Sequence, residues 1–116
     1  MSEPDQDELA RMFRPRLEAE REALQGEGEA SAADRAPVEL DQQSVGRLSR
    51  MDALQMQAMA EATQRRRRLR LQQIGAALER MAAGEFGSCL DCGAFIGMGR
   101  LGVDPAARLC IACAGR

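Results

Sequence analysis

The four cysteines of this 116-residue chain stand in two pairs, Cys89-Leu-Asp-Cys92 and Cys110-Ile-Ala-Cys113, separated by seventeen residues. Each C-x-x-C holds two thiolates on one tight turn, and two such turns close a tetrahedral four-sulfur shell suited to a structural zinc ion. Gly93, directly after the first pair, tolerates the positive φ that turns backbone N–H groups toward sulfur. Pro105 stiffens the approach to the second pair. The same residues could instead form a two-disulfide knot, a redox dithiol or inert buried cysteines. The spacing and the acidic N-terminus, unlike an export signal, favour one zinc ion on Cys89, Cys92, Cys110 and Cys113 and a reduced, cytoplasmic setting. Four thiolates leave no open position for a metal-bound water. The chain also contains no histidine, tyrosine or lysine, so it is not expected to be an enzyme.

A module this small needs its metal for stability, and the rest of the chain must hold it in place. With three phenylalanines, no tryptophan and much of its apolar content in alanine, the sequence suits helix seams better than a globular interior. Residues 1–25 read as a helix, with Ser2 as a candidate N-cap and Glu3, Asp5, Asp7 and Glu8 near the positive end of the dipole. Leu9, Met12, Phe13, Leu17 and Leu24 form its stripe, and Pro15 predicts a kink or a break into two helices. Gly26 to Pro37 has the composition of a loop, and residues 26–48 read as a connector.

A long helix follows from Arg50 to Ala83. Ser49 and Asp52 resemble a capping box. Met51, Leu54, Ala58 and Ala62 make one stripe, and Leu71, Ile74, Leu78 and Met81 make a second at the three- and four-residue steps of a coiled coil. Met51, Met56, Met59 and Met81 read first as seam residues. Arg65 to Arg68 lie between the stripes and sweep about 300° of the helix, so one of them must fall near the seam. Residues 1–30 carry nine acids and four arginines, against two acids and six arginines in residues 61–80. That asymmetry favours antiparallel pairing of the two arms, at a few tenths of a kcal/mol per exposed pair. Gly84 is placed as a C′ glycine. The expected fold is mainly α: an antiparallel two-helix coiled-coil hairpin over residues 1–83 joined to a small four-cysteine zinc-finger module at 84–116.

These residues resemble the DksA/TraR family of bacterial transcription regulators. The resemblance rests on F-G-S-C-L-D-C-G, Ile96, Arg100-Leu101, Pro105 and L-C-I-A-C, with a long helix upstream. It implies a zinc-stabilised base from which a helical hairpin projects, direct binding to RNA polymerase without sequence-specific DNA binding, and insertion of the hairpin into the secondary channel. It also implies action often shared with guanosine tetraphosphate. The tip in well-known members carries D-x-x-D-x-A; here L-S-R-M-D-A offers only Asp52, with Glu39 and Asp41 earlier. Asp41 and Asp52 are the candidate tip acids, although each also reads as a residue at a helix start. Longer members continue past the zinc module with a helix that has no counterpart in this sequence. Arg100 fits the family pattern as a partner contact and equally a brace within the zinc module.

The expectation is therefore a monomeric regulator that binds RNA polymerase, with a tip within residues 38–52. A zinc-stabilised coiled-coil adaptor, binding another protein or itself, is the alternative. A nucleic-acid-binding zinc ribbon ranks lower, since only Arg100, Arg108 and Arg116 lie near the metal and the net charge is −2. A redox switch at the cysteines is the fourth reading. No apolar run approaches the length of a membrane span.

Overall fold

The computed structural model describes residues 3–32 and 47–115. Four helices follow one another: α1 (Gln6–Ala30), α2 (Arg47–Ala82), α3 (Met98–Val103) and α4 (Ile111–Ala114). The helical hairpin expected from sequence is present, and its contacts fall into two compact units that cut across both long helices. One unit contains Met1–Glu22 and Leu71–Arg116; the other is Ala23–Arg70.

In the first unit, α1 starts at an Asp5 cap, whose Oδ1 accepts the Glu8 backbone N–H at 2.8 Å. Asp5 thus fills the role expected of Ser2, which lies outside the described residues. Leu9, Phe13 and Leu17 are buried, as are Ile74, Ala77 and Met81 from α2. Met12, expected in the stripe, is exposed. Gln6 at the start of α1 meets Phe86 beyond the end of α2, which sets the two chain directions antiparallel. α2 closes on Gly84 at φ 75°. The Glu85 N–H reaches Arg80 O at 2.8 Å and the Gly84 N–H reaches Met81 O at 3.2 Å, a Schellman ending that satisfies two terminal carbonyls and needs glycine's left-handed backbone.

Two expectations for α1 are corrected. Pro15 does not split it, because the helix is continuous from Gln6 to Ala30. Pro15 lies on the exposed side, where water can satisfy the carbonyl that loses its N–H partner. The helix also passes through Gly26 and Gly28, five residues beyond the expected end, despite the low helix propensity of glycine. The rest of the expected connector, residues 33–46 with Val38, Glu39, Leu40, Asp41 and Val45, lies outside the described residues.

The second unit corrects the expected seam. Its shielded α2 positions include Arg50, Ala53, Gln57, Ala60, Gln64 and Arg67, while Met51, Leu54, Met56 and Met59 are exposed. The reason is register. Within this unit the shielded positions 50, 53, 57, 60, 64 and 67 follow one another in steps of three and four, a single heptad register. Met51 and Leu54 each follow a shielded residue by one position, so bringing them inward would require turning the helix by about 100°. α2 begins at Arg47, so Ser49 is already inside the helix rather than at its cap, and Asp52 is beyond the first turn.

Arg67 is the arginine that the run 65–68 delivers to the seam. Its side chain is 9% exposed and its Nε stands 3.8 Å from Glu27 Oε2. Its Nη1 donates to Ser31 Oγ at 3.2 Å and to Gln64 Oε1. Gly28 lies opposite: a Cβ there would meet Arg67 Cδ at 3.5 Å, ordinary contact distance, so the arginine stem packs directly beside it.

Candidate metal centre

Residues 86–96 form a short hairpin that presents the first two sulfurs. Ser88 and Phe95 make an antiparallel bridge, closed by Ile96 N–H to Gly87 O at 2.7 Å and Cys89 N–H to Ala94 O at 2.8 Å. The turn between them depends on Gly93, at φ 75°, whose N–H returns to Cys89 O at 2.9 Å. Gly87 is needed for two reasons. Its φ is 88°, and a Cβ there would come within 3.2 Å of Phe95 Cε1.

The second pair arrives through α3 and a tight turn. Asp104 Oδ1 accepts the Ala106 N–H at 3.0 Å, and the adjoining Pro105, Ala106 and Ala107 are buried. Cys110 caps α4 and Cys113 lies on its first turn. The two halves are tied by Leu90 N–H to Arg108 O at 2.9 Å. Arg100 sends its Nε to Leu109 O at 2.8 Å, which fixes the backbone immediately before Cys110. The brace considered for Arg100 is thus present as a hydrogen bond.

This framework brings the four sulfurs together. A Zn–S bond of about 2.3 Å places the corners of a regular tetrahedron about 3.8 Å apart. Cys92 Sγ and Cys110 Sγ stand at 3.8 Å, and all four sulfurs lie within 4.8 Å of one another. None is in a disulfide. Cys89 and Cys113 are buried, Cys110 is half-buried and Cys92 is exposed.

The electrostatics of the metal-free cluster suit a cation. Backbone N–H groups, that of Cys110 first and then Cys92, hold the Cys89 thiol down to about 6. Its neighbours, Cys110 first and then Cys89, push Cys113 up to about 12. One thiolate is therefore favoured where several crowd one another, and a divalent ion removes that conflict by replacing protons. The four thiolates hold one structural zinc ion.

The centre is anchored through Phe86, three residues before Cys89. Its ring lies 5.8 Å from that of Phe13 at a 40° tilt. Gln6 grips the same residue twice: Nε2 donates to Phe86 O at 2.9 Å, and Oε1 accepts the Phe86 N–H at 3.0 Å. This amide clamp has no sequence signature, because it joins positions 80 residues apart. Leu101 of α3 and Ile74 of α2 complete the buried apolar layer. On α2, burial first and then the charge of Arg108 lower the Arg80 guanidinium below its usual range.

Of the tip acids, Asp52 is exposed on α2; Asp41 is outside the described residues. Among the described residues no helix is long and apolar enough to cross a membrane.

Residues 84–116 match the family model of the prokaryotic dksA/traR C4-type zinc finger. Among solved structures, the chain is similar to transcription factor DksA2 from Pseudomonas aeruginosa, at 24% identity and a TM-score of 0.69, over 96% of this chain and 81% of that one. No match was found among curated proteins.

Proposed function

We propose that this chain, whose residues 84–116 are a zinc finger of the DksA/TraR family, is a cytoplasmic transcription regulator that binds bacterial RNA polymerase directly. Its helical hairpin enters the secondary channel and acts near the active site, and it reads no DNA sequence. One observation carries the reading: this finger is joined to two long antiparallel helices in the fold of a bacterial transcription factor. Zinc supplies stability and holds the base of the hairpin; it does no chemistry. Asp52, exposed and past the first turn of α2, is available to a partner rather than used as a cap. Asp41 is the second candidate acid, and Arg100 acts from the zinc module.

The test is binding of the zinc-loaded protein to polymerase core enzyme, together with promoter-complex lifetimes for the native chain and an Asp41→Asn/Asp52→Asn variant. Lifetimes measured with and without guanosine tetraphosphate report nucleotide dependence. The reading expects both proteins to bind and only the native chain to change the lifetime. Absence of binding at micromolar concentration rejects it.

A further inference from the structure

The stripe displaced from the hairpin seam forms a surface of its own. At 100° per residue, Met51, Leu54, Ala58, Ala62, Arg65 and Leu69 fall within about 80° of one another, centred about 130° round the helix from the seam positions. Met51 is 50% exposed, Leu54 46% and Leu69 56%. The stripe has a defined relief, with large residues at its ends and Ala58 and Ala62 between them, so another helix can approach closely in the middle. Its rise from Met51 to Leu69 is about 27 Å, five helical turns.

Charge points to the occupant. Arg65 and Arg68 are exposed along this strip, while Arg66 turns its Nη2 to Thr63 Oγ1 and borders the groove beside Leu24 and Glu27. Arg65 and Arg68 border one shallow groove with Gln64 and Glu61, whereas Glu27 is engaged by Arg67 on the seam side. A partner must therefore be apolar along one line and acidic beside it. A nucleic acid would use the arginines but not the leucines, and residues 23–70 contain no aromatic side chain for base stacking. A bilayer would not need the alanine saddle.

We propose that the outer face of α2 from Met51 to Leu69 docks one acidic, amphipathic α-helix of a partner protein. The leucines and methionine pack against its apolar stripe, and Arg65 and Arg68 meet its carboxylates. This goes beyond the polymerase reading and is tested with no polymerase present.

The experiment uses the full zinc-loaded chain and a fluorescein-labelled peptide of about 18 residues, with leucine at its a and d positions and glutamate beside them. The comparator is the same composition shuffled so that the leucines spread around the helix. Anisotropy should show the amphipathic peptide binding at least about ten-fold tighter than the shuffled one. Leu54→Gln/Leu69→Gln and Arg65→Gln/Arg68→Gln should each weaken it by at least about ten-fold. Ala58→Glu, which puts charge and bulk on the saddle floor, should do the same. Circular dichroism and zinc stoichiometry verify that each variant is folded. Equal affinity for the two peptides, no loss in the leucine variant, or no binding up to about 1 mM would overturn the proposal. So would tighter binding to a DNA duplex or to phosphatidylglycerol vesicles. Sedimentation of the protein alone is the last arm: a dimer abolished by Leu54→Gln/Leu69→Gln would make the occupant a second copy and overturn a separate partner.

Discussion

Replacing Arg67 by leucine removes a guanidinium from a helix seam where its side chain is only 9% exposed. Three interactions go with it. The Glu27 pair is weak, because that carboxylate is 62% exposed at 3.8 Å and pairs open to water contribute about 0–1 kcal/mol. The bonds to Ser31 Oγ and Gln64 Oε1 contribute about 1 kcal/mol each after exchange with water, and both acceptors are half-exposed enough to be rehydrated. Against these losses, a leucine buried at this heptad position gains about 1.5–3 kcal/mol, and the cost of desolvating a cation disappears. Arg67→Leu should therefore be neutral or stabilise residues 53–67 by about 1 kcal/mol. Arg67→Ala loses the same bonds and also the stem packed beside Gly28, and should destabilise by about 1–2 kcal/mol. Hydrogen exchange read segment by segment, with urea unfolding of the whole chain, measures both. If leucine destabilises as much as alanine, the network is net stabilising and this ranking of desolvation over pairing is wrong.

Three further outcomes are expected. Gln6→Ala removes both bonds to the Phe86 backbone and should cost about 1–3 kcal/mol; Gln6→Glu retains the acceptor but not the donor, and thermal melts should place it between the two. Gly87→Ala must hold φ 88° and a Cβ 3.2 Å from Phe95, so a loss of about 1–3 kcal/mol and weaker zinc retention should appear on chelator titration. Zinc affinity should fall as pH falls, because coordination requires thiolates. Cys89, held down to about 6, adds its proton to the competition only below that pH, whereas Cys113, up at about 12, contributes one throughout. Competition with a chromophoric chelator from about pH 5 to 8 should therefore steepen below about 6, and an unchanged slope would count against this assignment.

The zinc site was legible because its information is local. Two C-x-x-C turns, Gly93 and Pro105 each act within a few residues, so residue type and spacing were enough to place the metal and its framework. The Schellman stop at Gly84 and the Leu71–Met81 stripe were legible for the same reason, as was the delivery of one arginine from 65–68 to the seam. The helix period alone could not identify that residue as Arg67.

What required tertiary structure was the choice between faces that local pattern leaves open. Met51, Leu54 and Ala58 belong to the more apolar stripe of the distal helix, yet they are exposed, because this stretch of α2 turns its polar repeat inward, with Arg67 held against Ser31 and Glu27. The polar repeat from Arg50 to Arg67 could have been found by counting backward from Leu71, but hydrophobicity argued the other way. Gln6 and Phe86 meet only after the chain has folded back on itself, and α1 continues through two glycines that composition alone assigns to a loop. Sequence by itself determined the two long helices, though not their ends, and the zinc finger, whose causes are short-range. Helix phase and long-range polar pairing were decided by the tertiary structure, because the face a helix turns inward depends on side chains brought against it from distant positions in the chain.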